Sequence, residues 1–200
     1  MTVIGITGPS GAGKGEISRI LNEKYGFPVL DADEIYHSLV SAPSDCLSEI
    51  EKEFGNAVIQ KNGSLDRKAL SVLVFGEENK ERLNLLNTIT HKHVVEEIDS
   101  SLSALENKVK ACVIDAPLLI EADLCSKCDL TLSVIASKEI RAERISQRDG
   151  IDMESALRRI NSQKKDEYYI NNTDYSILND GDLPLLTVNV EKIMRERGMI

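Results

Sequence analysis

VIGITGPSGAGK, residues 3–14, is the stretch that decides the fold. Its first five residues are mostly apolar and predict a short buried strand. The next seven have the spacing G-x-x-x-x-G-K, and apolar residues then recur at helical spacing as far as Tyr25. A strand, a glycine-rich loop and a helix in this order are typical of a phosphate-binding loop, where backbone N–H groups and the positive end of a helix meet phosphate oxygens. The sequence therefore predicts a nucleotide site in which Lys14 contacts the β- and γ-phosphates.

Other short apolar runs predict the rest of a parallel sheet. A strand over residues 27–30 completes a βαβ unit with the first strand and helix. Further strands are predicted over residues 109–114, 130–135 and 176–178, and further helices over 137–148, 154–169 and 185–197. The predicted fold class is α/β, with a parallel sheet of about five strands flanked by helices.

The segment between the second and third predicted strands is too long for a simple crossover. Apolar residues keep a helical spacing over most of residues 34–108, with one turn over 55–66 that contains Asn62-Gly63. We therefore predict a helical substrate-binding insertion over about 34–108. The core then comprises residues 1–33, 109–136 and 173–200.

The charge distribution excludes some functions and favours another. The chain carries 24 basic and 33 acidic residues, a formal charge of -9, which argues against a general nucleic-acid surface. Residues 138–165 hold eight basic and five acidic side chains, so this segment is locally positive and suits a small, highly anionic ligand. No apolar run approaches ~18 residues, and the first residues lack a signal-peptide pattern. We expect a cytoplasmic protein without a membrane segment.

The residues that follow Lys14 depart from the usual phosphate-loop pattern. Gly15 stands where a Ser or Thr hydroxyl commonly binds Mg²⁺, and Glu16 adds a negative charge next to it. We therefore expect Mg²⁺ to depend on the phosphates of the nucleotide, on waters and on Asp115, which ends a predicted strand and can hold the ion through water. Turn formation is an equally good explanation of Asp115.

Two further groups of charged residues are candidates for chemistry. Asp31 and Asp33 follow the second predicted strand, where either a general base or a helix N-cap is expected. Arg141, Arg144 and Arg148 are spaced i, i+3 and i+7, so that one helix face presents all three.

The cysteines predict little chemistry. Cys125 and Cys128 have metal-type spacing, but no second pair follows at the distance that a zinc site requires. Ordinary reduced thiols are the favoured interpretation, and a zinc or redox role is the alternative.

Motifs along nearly the whole chain resemble those of dephospho-coenzyme A kinases. They are the loop 8–14, Asp31-Ala32-Asp33 with Ile35, Leu65-Asp66-Arg67 with Leu70, Val74-Phe75, His91, Pro117-Leu118-Leu119 with Glu121, Gln147-Arg148-Asp149, Arg159-Ile160 with Gln163, and residues 174–181 with Asn179. The resemblance implies a P-loop kinase in which ATP, with Mg²⁺, phosphorylates the ribose 3′-hydroxyl of dephospho-coenzyme A. It also implies a helical lid over about residues 137–172.

The resemblance assigns roles to individual residues. The implied catalytic residues are Asp33 as the base, Lys14, Arg144 and Arg148. The implied ATP-binding residues are Gly11, Ala12, Gly13, Lys14, Gly15, Glu16 and Asn179. The implied acceptor-binding residues are Asp33, His37, Arg67, His91, Pro117 and Leu118. Relatives usually carry Arg at the position of His37 and Pro at that of Lys92, two more departures beside Gly15 and Glu16.

The resemblance also sets the partners and leaves two alternatives. ATP and dephospho-coenzyme A are the expected small-molecule partners of a monomer or weak oligomer that binds neither nucleic acid nor membrane. Another small-molecule P-loop kinase, such as a nucleoside monophosphate kinase, is the first alternative, because Gly commonly follows the lysine there. A catalytically silent nucleotide-binding regulator is the second.

Overall fold

The computed structural model describes the backbone of residues 1–200 and every side chain but that of Glu77. The strands are β1 (Thr2–Thr7), β2 (Val29–Asp31), β3 (Ala111–Asp115), β4 (Leu130–Ile135) and β5 (Tyr175–Leu178). The α-helices are α1 (Lys14–Tyr25), α2 (Ala32–Ser41), α3 (Asp45–Phe54), α4 (Arg67–Val74), α5 (Lys80–Leu105), α6 (Lys138–Asp149), α7 (Met153–Asn161), α8 (Asp166–Asn171) and α9 (Leu183–Glu196). Short 3-10 helices cover Asn56–Val58, Glu77–Asn79 and Leu124–Lys127.

The five strands form one sheet in the order β2-β3-β1-β4-β5. The pairs β1–β3, β1–β4 and β4–β5 run parallel. Strands β1, β3 and β4 are buried along almost their whole length, as expected for a parallel sheet covered by helices on both faces. The predicted fold class is confirmed.

The chain divides into two compact units. The first comprises Met1–Leu30 and Leu105–Ile200, and contains the phosphate loop together with the predicted lid segment. Its core joins the sheet to α1 and α9, through fully buried side chains such as Ile4, Leu21, Leu132 and Val190. Among the described residues, no helix is both long and apolar enough to cross a membrane.

The second unit, Asp31–Ala104, contains α2 to α4 and nearly all of α5. Its separate core includes Val40, Ile50, Val58 and Leu70. The turn predicted over 55–66 contains a short 3-10 helix and an antiparallel bridge between Ile59 and Leu65.

Two local predictions about the secondary structure are wrong. Residues 154–169 were expected as one helix, but the chain breaks between α7 and α8, where the Gln163 side chain bonds to Ser10 and Arg141. The strand predicted from residue 27 begins at Val29, because the Phe27 N–H instead bonds to Leu21 O and closes the C-terminus of α1. In both cases the reason is a hydrogen bond that the spacing of apolar residues does not indicate.

We expect Leu132→Ala to destabilise the first unit strongly. Leu132 is fully buried in β4, and truncation of such a side chain costs about 2–5 kcal/mol through lost transfer energy and a cavity. Leu178→Ala, in β5, is the matched control because its side chain is 57% exposed. Because the chain has no tryptophan, urea unfolding is followed by far-ultraviolet circular dichroism. Equal unfolding midpoints for the two variants would contradict the assigned core.

Candidate active site

Protein donors hold every carbonyl oxygen from Gly8 to Ala12 in the phosphate loop, residues 8–13. The Gly8 carbonyl accepts from Lys14 Nζ at 3.0 Å, and that of Pro9 from the Ala12 N–H at 3.3 Å. The Ser10 carbonyl accepts from Arg141 Nε at 2.9 Å, and that of Gly11 from Arg144 at 3.4 Å. The Ala12 carbonyl accepts from both Arg144, at 3.3 Å, and Asn179 Nδ2, at 2.8 Å. The N–H of a trans peptide points opposite to its carbonyl. The anchoring of Ser10 and Ala12 therefore turns the N–H groups of Gly11 and Gly13 away from these donors, as a phosphate-binding loop requires.

Two glycines of the loop are required by their surroundings. A Cβ on Gly8 would lie 2.1 Å from the carbonyl oxygen of Val134, and one on Gly13 would lie 2.3 Å from Asn179 Nδ2. Gly13 also has a φ of 98°, in the region that L side chains rarely adopt. Gly15 differs, because a Cβ there would meet nothing within 4 Å. The missing hydroxyl at Gly15 is therefore not imposed by packing.

Arg141 connects the loop to the segment between α7 and α8. It is 4% exposed, and besides Ser10 it donates to Gln163 Oε1 at 2.8 Å and to Asp166 at 3.4 Å. The Ser10 N–H donates to the same Gln163 oxygen at 3.2 Å. Burial lowers the pKa of Arg141, while the charge of Asp166 opposes that effect. Arg141 thus acts as a buried brace of the loop.

Arg144 and Arg148 have different environments from Arg141, although all three are on α6. Arg144 donates to the carbonyls of Gly11 and Ala12 and, at 3.0 Å, to that of Asn179. The side chain of Arg148 is 61% exposed and makes two bonds to Asp149, at 2.7 and 3.1 Å. The bonds from Arg148, and then the bond from Arg159, lower the pKa of Asp149 to about 2. Of the three arginines, Arg141 and Arg144 therefore bond to the phosphate loop, whereas Arg148 bonds to Asp149.

Asp115 lies at the end of β3 and bonds to Ser18, a residue that no sequence motif indicated. Its Oδ2 accepts a bond of 2.6 Å from Ser18 Oγ, and both residues are buried. The turn after β3 is closed by a backbone bond from Leu119 N–H to Ala116 O. A serine among the apolar residues of α1 was the available signal, because a hydroxyl buried there needs a partner.

The residues present fit a Mg²⁺ ion that is held mainly by the nucleotide. Strand register pairs Asp115 with Ile6, two residues before the loop. Within the part of the chain that the structure describes, no group of three His, Cys, Asp or Glu side chains could hold a metal ion. Since Mg²⁺ commonly takes one or two carboxylates plus phosphates and waters, a single strand-end carboxylate is a sufficient protein contribution.

The remaining candidates of the first unit lie beside the loop or directly after β3. The Glu16 carboxylate, at the start of α1, is 2.7 Å from Arg19. The carbonyl oxygen of Pro117 accepts a bond of 3.2 Å from Thr7 Oγ1, and the adjacent Leu118 is 46% exposed. Glu16 therefore has a cationic neighbour on its own helix, whereas Leu118 presents an apolar surface.

In the second unit, the two aspartates of the D-A-D motif have separate tasks. Asp31 caps α2, since its Oδ1 accepts bonds from the N–H groups of Asp33 and Glu34 at 2.8 and 3.0 Å. Asp33 is exposed in the first turn, and among the contacts that the structure describes its carboxylate has neither a hydrogen bond nor an ion pair. The N-cap interpretation therefore applies to Asp31 and not to Asp33.

Two predicted acceptor residues contact each other in this unit. Arg67, the first residue of α4, bonds to His37 Nδ1 of α2. Arg67 lines a cavity of about 780 Å³ together with Lys61 and Lys68. It also lines a cavity of about 180 Å³ whose walls are mostly apolar, including Phe75. One arginine thus borders both a basic and an apolar cavity.

The two histidines of α5 differ in their surroundings. His91 is half-buried, while His93 is buried with Nε2 at 2.8 Å from Glu49 on α3. Lys92, in the position where relatives usually have Pro, also bonds to Glu49 at 3.1 Å. His93 and Lys92 thus join α5 to α3.

The cysteines have the properties of ordinary reduced thiols, with Cys46 and Cys112 buried and Cys125 and Cys128 partly buried. Burial is the main cause that raises the pKa of Cys128 to about 12 and also raises that of Cys125. The thiolate is the reactive and metal-binding form of cysteine, so the raised pKa values disfavour both a zinc site and a redox role.

We expect Gly13→Ala to abolish tight ATP binding, with loss of stability, and Gly15→Ala to preserve both. The first change introduces a Cβ into the space of Asn179 Nδ2 at a left-handed φ, and strain of this kind costs about 1–3 kcal/mol. The second places a Cβ in open space two residues along the chain. Thermal unfolding and calorimetric titration with ATP check both variants. Wild-type ATP affinity in Gly13→Ala would show that the loop geometry is not needed.

Comparisons with known proteins agree with this geometry. A family model described as dephospho-CoA kinase matches residues 2–184. A dephospho-CoA kinase from Fusobacterium nucleatum is 39% identical over 190 residues, which are 95% of each chain. A crystal structure of a Thermus thermophilus protein has a TM-score of 0.80 at 31% identity, covering 98% of this chain and 97% of the other. A dephospho-CoA kinase structure from Campylobacter jejuni has a TM-score of 0.62 at 26% identity, covering 98% and 96%. With its phosphate loop intact and this likeness extending over almost its whole length, the chain belongs to the dephospho-CoA kinase family of kinases.

Proposed function

We propose that this protein transfers the γ-phosphoryl group of ATP to the ribose 3′-hydroxyl of dephospho-coenzyme A, which yields coenzyme A and ADP. The observation that carries the proposal is the phosphate loop with its carbonyls anchored, in a chain of this family. Phosphoryl transfer needs positioning and charge stabilisation more than covalent chemistry, and a loop that is already fixed provides both.

On the ATP side, the loop provides N–H donors and Lys14 provides a point charge. Gly11, Ala12, Gly13 and Lys14 surround the phosphates, and Gly15 and Glu16 lie in the first turn of α1, the helix whose positive end faces them. Arg144 and Asn179 support ATP binding through the loop carbonyls that they hold. Arg148 belongs to the lid and stabilises the charge of the phosphoryl group during transfer.

On the acceptor side, Asp33 is the general base that takes the proton from the ribose hydroxyl. This assignment is supported by the N-cap of α2, because the Asp31 carboxylate caps the helix and that of Asp33 does not. His37, Arg67, His91, Pro117 and Leu118 bind the acceptor.

The lining of the two cavities in the second unit supports the assignment of dephospho-coenzyme A as the acceptor. Dephospho-coenzyme A carries an anionic diphosphate and a long uncharged arm. The cavity lined by Lys61, Arg67 and Lys68 suits the diphosphate, and the smaller one beside Phe75 suits an uncharged chain.

Mg²⁺ bound to the ATP phosphates supplies positive charge against the charge that develops on the transferred group. Asp115, whose carboxylate is held by Ser18, is the residue that would hold the ion through water. We further propose a cytoplasmic enzyme that works as a monomer or weak oligomer, without nucleic-acid or membrane partners.

Acceptor specificity tests the proposed function. We expect ADP release from ATP with dephospho-coenzyme A, with AMP and shikimate giving only the background rate, because neither has a diphosphate and a long arm together. A coupled ADP assay measures the rates, and mass spectrometry identifies the phosphorylated product. Turnover of AMP instead would favour a nucleoside monophosphate kinase. ATP binding without turnover of any acceptor would favour a silent regulator.

Replacement of the base is expected to separate catalysis from binding. Asp33→Asn keeps the shape of the side chain and removes the proton acceptor, so kcat should fall about 10²–10⁴-fold. ATP affinity should remain unchanged, since no step of ATP binding is assigned to Asp33. Glu34→Gln is the matched control, because it removes a neighbouring exposed carboxylate from the same helix turn. If Asp33→Asn retained more than half of the wild-type kcat, another group would have to be the base.

A further inference from the structure

We propose that Ser18 is the positioning residue for Asp115, so that a hydroxyl of α1 supports the metal side of the nucleotide site through that carboxylate, although Gly15 provides no hydroxyl as a metal ligand. The inference rests on the proposed function only in requiring that ATP binds here together with Mg²⁺. It does not depend on the identity of the acceptor.

The contact between Ser18 and Asp115 has the properties of a strong hydrogen bond. The distance from Ser18 Oγ to Asp115 Oδ2 is 2.6 Å, within the range of bonds from a hydroxyl to an ionised carboxylate. Ser18 is 5% exposed and Asp115 is 7% exposed, so water competes little for either group. The bond joins α1 to β3, across 97 residues of sequence.

A simpler role for Ser18 is a bond to its own helix. Serine in a helix often donates to the carbonyl four residues earlier, which here is that of Lys14. That distance is 3.4 Å, at the outer limit of a hydrogen bond, against 2.6 Å to the carboxylate. A hydroxyl has one proton to donate. The geometry therefore assigns that proton to Asp115.

The position of Ser18 in α1 supports a specific task. Its neighbours Ile17, Ile20 and Leu21 are buried against the sheet in the apolar core. A hydroxyl among them costs free energy unless it is bonded. The bond to Asp115 removes that cost and also gives the buried carboxylate a donor.

The consequence for the site is a fixed carboxylate. The bond from Ser18 to Oδ2 holds the Asp115 carboxylate in one orientation. An acid that accepts a hydrogen bond from metal-bound water depends on such support, because its direction decides how well the ion is held. Gly15 has room for a side chain but provides no hydroxyl that could help to hold the ion. Ser18 acts from the next turn of the same helix.

The test measures how much Mg²⁺ strengthens ATP binding, and no acceptor is present. Calorimetric titration with ATP in Mg²⁺ and in EDTA gives the ratio of the two affinities. We expect Ser18→Ala to reduce the gain from Mg²⁺ by about tenfold, the lower end of the usual cost of losing such support. The affinity in EDTA should stay at the wild-type value.

Ser133→Ala is the matched control, because Ser133 is a fully buried serine of β4 that donates to Tyr175 O rather than to Asp115. It should leave the ratio at the wild-type value. Circular dichroism establishes that each variant is folded. If Ser18→Ala does not fold, Ser18→Cys keeps nearly the same shape with a weaker donor and should lower the ratio in the same direction.

A double-mutant cycle with Asp115→Asn makes the test specific to this pair. If Ser18 acts through Asp115, then Ser18→Ala should lower the ratio no further in the Asp115→Asn background. An unchanged ratio in folded Ser18→Ala, or a full additional loss in the double variant, would overturn the proposal. Failure to phosphorylate dephospho-coenzyme A would count against the proposed function and leave this result intact.

Discussion

The structure depends on the anchoring of the phosphate loop by its carbonyl oxygens. The donors come from α1, from α6 and from Asn179 after β5, so the loop keeps its shape only if these elements meet at one edge of the sheet. The strand order places β4 between β1 and β5, which brings the carboxyl ends of all three to that edge. The loop can then present its N–H groups without reorganisation when charge develops on the phosphoryl group.

The departures from the family pattern are accommodated locally. The Glu16 carboxylate has Arg19 as a partner, and Lys92 has Glu49, each within its own unit. His37 contacts Arg67, so a permanent guanidinium charge remains next to the position where relatives usually carry Arg. Glu16, Lys92 and His37 therefore each have a neighbouring partner, and none of these three contacts involves the carbonyls of the phosphate loop.

The sequence predicted those features that depend on local patterns. The spacing from Gly8 to Lys14 identified the loop, because residues close in sequence show where positive φ angles are needed. The apolar run over residues 130–135 identified β4, because a short continuous apolar segment is typical of a buried strand. The partners of Ser18, Arg141 and Gln163 were missed, since each lies on another element of the fold. The same limit applies to the D-A-D motif, where only the cap geometry separates Asp31 from Asp33.

A crystal structure with a non-hydrolysable ATP analogue and Mg²⁺ tests the anchored loop most directly. We expect Arg141, Arg144 and Asn179 to keep their bonds to the loop carbonyls, and phosphate oxygens to accept bonds from the N–H groups of Gly11 and Gly13. A structure in which Arg144 and Asn179 leave Ala12 O to bind the phosphates would contradict this expectation, because the loop would then be shaped by the nucleotide rather than prepared for it.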